Sequence, residues 1–194
     1  MTGTWNGEPV TFRTAGIDET ADVLGVLDEA AGWLRTRGVS QWPARFEPGW
    51  VTGAIGRNET WLVRVGDRVA ATFTLDWSDP LWNDIGGNAG YLHRSAVRRS
   101  TAGLGTLLLA WAGDTVRRHG RDALRLDCVA TNRRLRDYYE SAGFLHRGDV
   151  TVGGAPGQRR KDGPTTPVSR YELPLKANHE PPLETADRRP AAPR

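Results

Sequence analysis

The segment from residue 91 to residue 144 constrains the fold of this chain more than any other. It begins with an apolar strand pattern that ends at Val97, continues through a turn containing Gly103 and Gly105, and enters an apolar helix. A second strand over 123–129 and a second helix over 133–142 follow. Because strands and helices alternate here, this half of the chain is predicted to be α/β.

The turn over residues 100–105 has properties that suit an anion. A helix that opens directly after a glycine-containing turn presents unpaired backbone N–H groups and the positive end of its dipole. Both favour a bound phosphate group. A Gly-x-Gly pair is a weak signal by itself, so a plain junction between a strand and a helix is the competing interpretation.

The rest of the chain predicts further strands and helices from hydrophobic periodicity and turn residues. The predicted strands cover 10–14, 144–152 and 168–175, and a hairpin covers 61–73. The predicted helices are one that Asp18 caps and Gly38 ends, a short one near 51–55 after a Trp-bearing linker, and the helix over 106–119. Loops are predicted over 79–88 and 153–166.

Length and composition predict one globular domain, over residues 8–175. The chain has 194 residues, of which 38% are hydrophobic and 25% charged. Residues 176–194 are rich in Pro, Ala and charge, which predicts a disordered tail. The sequence contains no apolar run close to the roughly 20 residues that cross a bilayer, and it begins without a signal-peptide pattern. We therefore expect a soluble, cytoplasmic protein that contacts no membrane.

Charge and cysteine content argue against two other classes of protein. The net charge of +3 is small, and no recognisable motif supports binding of nucleic acid. Cys128 is the only cysteine, so an internal disulfide and a Cys-based metal cluster are both excluded. Its place in a predicted strand favours a buried structural thiol over a nucleophile. No metal site is expected.

The run from Asn132 to Phe144, Asn-x-x-Leu-x-x-Tyr-Tyr-Glu-x-x-Gly-Phe, resembles the Gcn5-related N-acetyltransferase (GNAT) superfamily in residue type and spacing. The resemblance implies a mixed, largely antiparallel α/β (α+β) fold. Its sheet would have six to seven strands, flanking helices and a splayed strand pair that holds acyl-CoA. The turn before Leu107 matches the superfamily only at Gly103 and Gly105, and it is about two residues shorter, which weakens or reshapes the pyrophosphate contact.

The same resemblance implies acetyl-CoA as co-substrate and assigns its site. Tyr139 would donate a proton to the departing thiolate, Asn132 would bind the pantetheine or phosphate arm, and a backbone N–H near Ala96 or Val97 would hold the oxyanion. The full predicted cofactor-binding set is Ala96, Val97, Arg98, Arg99, Ala102, Gly103, Leu104, Gly105, Thr106, Asn132 and Tyr138. Packing in the core is the alternative role for both tyrosines.

Attack on a thioester needs a base, because an alkylammonium ion with a pKa of about 10.4 is a poor nucleophile at neutral pH. His93 is the predicted base, and strand alternation places it on one face with Tyr91, Ser95 and Val97. The pattern His-x-x-Ala-Val is similar to the arylalkylamine N-acetyltransferase branch. A structural histidine is the competing interpretation. Other candidates for the base or for amine recognition are Asp76, Asp79, Asp84 and Asp127.

The predicted acceptor-binding residues are Trp77, Trp82, Asp84 and Tyr91. An aromatic pocket that includes a carboxylate would suit a compact cationic or aromatic amine. The predicted function is an N-acetyltransferase acting on a primary amine of a small molecule, such as an antibiotic or a metabolite, by direct attack in a ternary complex. The alternatives are a non-catalytic acyl-CoA-binding module and an acetyltransferase of peptide or protein amines. The predicted assembly is a monomer or a homodimer.

Overall fold

In the computed structural model, which describes residues 3–153 and 165–175, eight strands form a single sheet. The strands are β1 (Gly3–Trp5), β2 (Glu8–Thr14), β3 (Thr60–Val65), β4 (Arg68–Asp76), β5 (Ala89–Val97), β6 (Ala123–Val129), β7 (Leu145–Gly153) and β8 (Thr165–Pro174). The α-helices are α1 (Thr20–Thr36), α2 (Thr52–Gly56), α3 (Gly105–Arg118) and α4 (Arg133–Ser141).

The strand order is β1-β2-β3-β4-β5-β6-β8-β7, and every described pair is antiparallel except β5 with β6. The predicted mixed, largely antiparallel sheet is confirmed. The prediction of six to seven strands missed β1, which pairs with β2 through a turn at Asn6 and Gly7. Both turn residues have positive φ, 49° and 82°, and Asn-Gly is a strong sequence signal for such a hairpin.

The two faces of the sheet carry different layers. Helices α3 and α4 cover one face, where Leu108, Leu124 and Tyr171 belong to the main hydrophobic core. Helices α1 and α2 cover part of the other face, in a second cluster that includes Leu27 and Leu62. Because neighbouring strand residues point to opposite faces, Leu62 and Val63 enter different clusters.

The predicted cap of α1 is wrong. The chain enters this helix through a single 3-10 turn, Ile17–Glu19, so Glu19 rather than Asp18 precedes the first helical residue. The Glu19 carboxylate accepts a hydrogen bond from the backbone N–H of Gly16, at 3.0 Å. This bond satisfies a donor that would otherwise be left without a partner ahead of the helix.

The other predicted helices and strands are observed with small shifts at their ends. The predicted loop over 153–166 lies mostly outside the described residues, and the predicted tail over 176–194 lies wholly outside them. The domain boundary at residue 8 stays a prediction, although β1 extends the sheet before it. Within the described ranges no helix combines the length and the apolar character needed to span a membrane.

Candidate active site

The central feature of the site is a gap between β5 and β6. These parallel strands pair from Ala89 with Ala123 as far as Leu92 with Leu126. Beyond that point β5 continues along β4 to Val97, and β6 continues along β8 to Val129. Among the described residues, β5 and β6 do not pair with each other beyond this point. This separation confirms the predicted splayed pair. Their facing backbone edges are therefore open to an extended ligand.

A β-bulge shapes the β5 side of this gap. Thr74 pairs with His93 and Thr72 pairs with Ala96, so Arg94 and Ser95 together oppose a single residue of β4. Arg94 has φ of 48°, an unusual conformation for a residue other than glycine. An extra residue in one strand reverses the side-chain alternation that follows it.

The bulge corrects one prediction about strand faces. Strict alternation would place Val97 on the face that carries His93. Instead Ala96 packs in the α1 cluster, on the His93 face, and Val97 packs on the opposite face with the α3 core. Sequence periodicity could not reveal this change, because a bulge at Arg94 has no glycine to mark it.

The Val97 backbone is directed into the gap. Arg98 donates its backbone N–H to the carbonyl oxygen of Ala70 on β4, at 2.8 Å. Because backbone groups of successive strand residues point to opposite edges, the N–H and C=O of Val97 point away from β4. Of the two residues predicted to supply the oxyanion donor, Val97 is therefore the better placed.

The turn before α3 places one end of the helix beside the gap. Gly103 has φ of 103°, which favours glycine, and α3 begins at Gly105. The first hydrogen bond of the helix runs from Leu108 N to Leu104 O, at 3.0 Å, so the preceding amides of the first turn point out of the helix end. The side chains of Thr101 and Leu104 are buried, whereas Ala102, Gly103 and Thr106 are exposed.

The two arginines of the turn are held by α1. The Arg98 guanidinium pairs with Glu29 at 2.5 Å and donates to the Val69 carbonyl at 3.0 Å. The Arg99 guanidinium lies over the ring of Trp33, 4.3 Å from its centroid. Both arginines, which were predicted to bind the cofactor, therefore contact residues of α1. Arg98 thus has a structural role that its sequence position did not reveal.

His93 lies among carboxylates on the sheet face that carries α1. Its Nε2 atom is 3.5 Å from Asp76 Oδ2 and 3.6 Å from Asp79 Oδ2. A ring nitrogen of His93 and one carboxylate oxygen each of Asp79 and Asp127 all lie within 4.8 Å of one another. Three of the four aspartates named as alternatives to His93 therefore meet at this histidine, and the fourth, Asp84, does not. We call His93, Asp76, Asp79 and Asp127 the His93 group.

Asp76 ionises less readily than an ordinary aspartate. Burial, and then its contact with Glu59, raise its pKa from 3.8 to about 6. Burial also opposes ionisation of Glu59, but hydrogen bonds with Arg57 and Asp76 lower the pKa of that carboxyl overall. The Oδ1 atom of Asp76 is buried without a hydrogen-bond partner among the described residues. Asp76 can therefore hold or release a proton near neutral pH.

Tyr139 lies on the inner face of α4, on the opposite side of the sheet from the His93 group. Its ring is close to those of Tyr138, Phe144 and Tyr171, with centroid distances of 5.5, 5.7 and 5.9 Å. Burial raises its pKa well above the usual range for tyrosine, so the hydroxyl keeps its proton at neutral pH. A neutral phenol at this position is a proton donor rather than a base.

Asn132 has two partners. Its Oδ1 accepts from the Leu135 N–H at 3.2 Å, which caps α4 as the sequence predicts. Its Nδ2 donates to Gln41 Oε1 at 2.6 Å. Gln41 belongs to the Trp-bearing linker after α1, so this linker reaches the end of β6 beside the gap. The sequence did not identify Gln41, because no local pattern relates it to a residue 91 positions away.

Trp82 and Tyr91 are buried and the exposed Asp84 is paired with an arginine, so the three do not line an open aromatic pocket. The Trp82 ring lies between two guanidinium groups, with Arg125 at 4.9 Å and Arg170 at 5.4 Å from its centroid. Asp84 binds Arg170 through both carboxylate oxygens, at 2.5 and 3.1 Å. The Tyr91 hydroxyl is 3.4 Å from Arg125. Neither arginine could be assigned to these partners from the sequence, since the partners are distant in the chain.

Trp77 is the other predicted acceptor residue that the structure places elsewhere. Its ring stacks on His119 with a centroid distance of 4.4 Å, and Arg121 lies 5.7 Å from its ring centroid. His119 directly follows the last turn of α3, whereas the gap adjoins the first turn. A helix of 14 residues is about 21 Å long, so Trp77 lies far from the cofactor turn, and it packs on the sheet face opposite the His93 group.

The prediction that Cys128 is a structural thiol agrees with its surroundings. The side chain is buried in the main core, and burial raises its pKa to about 12. Its neighbour Asp127 faces the other side of the sheet, toward His93, as alternation predicts.

Comparison with known proteins decides the family. A sequence model of the Acetyltransferase (GNAT) family matches residues 27–144, a span that contains the splayed strands, the turn and α4. The chain belongs to this family. Family membership confirms the predicted acetyltransferase activity class, with acetyl-CoA as co-substrate.

Individual GNAT relatives agree with this assignment. The chain is 32% identical over 147 residues to the uncharacterized N-acetyltransferase YesJ of Bacillus subtilis, covering 70% of this chain and 82% of YesJ. A GNAT acetyltransferase of Listeria monocytogenes has the same fold with a TM-score of 0.71, at 22% identity, covering 90% of this chain and all of that one. The yncA protein of Salmonella typhimurium, solved with acetyl-CoA, has a TM-score of 0.59 at 17% identity, covering 95% and 98%.

Proposed function

We propose that this GNAT member transfers the acetyl group of acetyl-CoA to a primary amine of a small molecule, by direct attack in a ternary complex. The observation that carries the proposal is the position of the gap between β5 and β6. The His93 group adjoins it on one sheet face, and α4 with Tyr139 adjoins it on the other. A base and an acid on opposite sides of one opening suit a transfer that removes one proton and supplies another.

On the acceptor side, His93 removes the proton from the attacking amine. Asp76 and Asp79 both lie within 3.6 Å of its Nε2 atom and stabilise the positive charge that the imidazole gains. The same carboxylates attract an amine, which is a cation at neutral pH. Asp76 and Asp79, together with Asp127, thus replace Trp77 and Trp82 as the proposed recognition residues for the acceptor.

On the cofactor side, Val97 and Tyr139 act on opposite ends of the bond that breaks. The Val97 N–H, directed into the gap, donates a hydrogen bond to the carbonyl oxygen of the acetyl group. The Tyr139 hydroxyl, which burial keeps protonated, donates its proton to the departing sulfur. The first turn of α3 and Asn132 hold the phosphate and pantetheine parts of the co-substrate. Acetyl-CoA supplies only the activated acyl group.

A screen of acceptors tests this proposal directly. Release of free thiol from acetyl-CoA would be followed with aminoglycosides, arylalkylamines, polyamines and short peptides. The protein contributes no reactive thiol, because its single cysteine is buried. Turnover with a small amine supports the proposal, and turnover with peptides alone favours the alternative acceptor class. Absence of turnover, together with no calorimetric signal for acetyl-CoA, would refute it. Assembly as a monomer or homodimer and a cytoplasmic location stay predictions.

A further inference from the structure

The turn before α3 uses many of its own amides internally. Backbone N–H groups of Thr101, Ala102 and Leu104 bond to carbonyl oxygens within the turn, at 3.0, 3.3 and 3.1 Å. Arg99 donates its N–H to Glu29, at 2.8 Å. Fewer amides therefore remain for a phosphate group than in a turn whose N–H groups all face outward. The remaining donors are at Gly103 and in the first turn of α3.

A side chain from α4 reaches this same place. The hydroxyl oxygen of Tyr138 lies 2.8 Å from the position that a Cβ atom on Gly105 would occupy. Gly105 is the first residue of α3, so the hydroxyl sits beside the amides of its first turn. A side chain of any size at Gly105 would displace it. The glycine is needed here for close approach rather than for its backbone angles, because it lies within the helix.

The hydrogen-bonding capacity of the Tyr138 hydroxyl is not satisfied by the described residues, although the Thr106 side chain lies near it. The hydroxyl is buried and forms no hydrogen bond of normal geometry within the described residues. Burial raises the pKa of Tyr138, and the neighbouring Thr106 offsets part of this increase without completing such a bond. The group is therefore a neutral O–H donor at physiological pH. A buried donor without a partner costs free energy, which a ligand oxygen at this position would recover.

We propose that the Tyr138 hydroxyl is a ligand of the co-substrate's diphosphate, donating a hydrogen bond beside the first-turn amides of α3. The inference rests on the proposed use of acetyl-CoA and adds a specific donor to its site. In this arrangement the hydroxyl supplements the amides that the turn uses internally. The two adjacent tyrosines of α4 then have separate tasks, since Tyr138 binds the diphosphate and Tyr139 serves the thioester.

Binding measurements on matched variants test this assignment. Calorimetry with acetyl-CoA would compare the wild type, Tyr138→Phe and the control Tyr171→Phe, which removes a hydroxyl that bonds Glu140 and Arg136 of α4. A titration with S-acetylpantetheine, which lacks the diphosphate, would be followed by NMR. We expect Tyr138→Phe to weaken acetyl-CoA about tenfold, the loss typical of one hydrogen bond to a charged group. Its affinity for S-acetylpantetheine, and the affinity of the control for acetyl-CoA, should stay within about twofold.

Two results would overturn the assignment. One is unchanged affinity of Tyr138→Phe for acetyl-CoA, and the other is an equal loss for acetyl-CoA and S-acetylpantetheine, which would indicate altered packing. Gly105→Ala offers a second route, because its methyl group displaces the hydroxyl. It should weaken acetyl-CoA in the wild type and have a smaller effect in the Tyr138→Phe background. Failure of the wild type itself to bind acetyl-CoA would instead refute the proposed function.

Discussion

Asp76 is expected to weaken the fold at neutral pH, so replacement by asparagine should stabilise the protein. In the unfolded chain this carboxyl ionises near its ordinary pKa of 3.8, and in the folded chain its pKa is about 6. Between these values the unfolded chain releases a proton that the folded chain retains. The free energy of unfolding therefore falls as the pH rises from about 4 to about 6, and the loss persists above that range.

The size of this effect follows from the difference between the two pKa values. At 1.36 kcal/mol per pH unit, an increase from 3.8 to about 6 corresponds to about 3 kcal/mol. A quarter of the side chain stays exposed, so solvent screening reduces this figure. We expect Asp76→Asn to raise the free energy of unfolding by about 1–2 kcal/mol at pH 8, equivalent to a few degrees in Tm. At pH 4 or below, the variant and the wild type should be equally stable.

Urea denaturation followed by circular dichroism at pH 4 and pH 8 measures this difference. Asp67→Asn serves as the control, because Asp67 is exposed in the turn between β3 and β4. Its effect should be small and the same at both pH values. Equal stability of Asp76→Asn and the wild type at pH 8 would refute the reasoning. So would a stabilisation of the same size at pH 4, since that would not arise from ionisation.

Three further substitutions test the acid, the base and the buried network. Tyr139→Phe should lower kcat about 100-fold while leaving the Kd of acetyl-CoA nearly unchanged, and an unaltered kcat would exclude Tyr139 as the acid. His93→Gln should lower kcat/KM most near pH 6–7 and less above pH 9, where the amine loses its own proton, whereas a loss independent of pH would argue against a base. Arg125→Met should cost about 3 kcal/mol in urea denaturation, because the largely buried Glu172 loses its 2.7 Å partner and keeps only the longer 3.6 Å pairing with Arg147 among the described residues. Adding Glu172→Leu should recover part of that loss, and no recovery would show that packing rather than charge is responsible.

Local signals in the sequence were sufficient for the second half of the fold. The run from Asn132 to Phe144 contains a helix cap, an apolar face and a closing glycine, all within one helix, and α4 forms there. Strand β6, predicted from the residue pattern, and the splayed pair, implied by the resemblance, are both observed. Predictions that depended on neighbouring residues were reliable in this segment, whereas the local cap at Asp18 was wrong and the hairpin at Asn6 and Gly7 was missed.

Predictions about which distant side chains meet were less successful. The acceptor set included Trp82 and Asp84 because aromatic and acidic residues suit an amine, yet both bind arginines that come from β6 and β8. No local pattern distinguishes these arginines from the other arginines of the chain. The face occupied by Val97 depended on a bulge at Arg94, which has no local marker. Tertiary pairing decided each of these cases.

Three locally unfavourable features of the chain are found around the gap between β5 and β6. They are the positive φ of Arg94, and a buried Asp76 oxygen and a Tyr138 hydroxyl that find no hydrogen-bond partner within residues 3–153 and 165–175. Each costs free energy in the unliganded protein, and packing of the two hydrophobic clusters compensates for it. A bound co-substrate and an amine would supply hydrogen-bond partners for the Asp76 oxygen and the Tyr138 hydroxyl, which the described residues leave unsatisfied. These features lie together at one opening, as expected for a site that binds two substrates. Binding there is favourable because ligand atoms form hydrogen bonds with polar groups that the protein leaves unsatisfied.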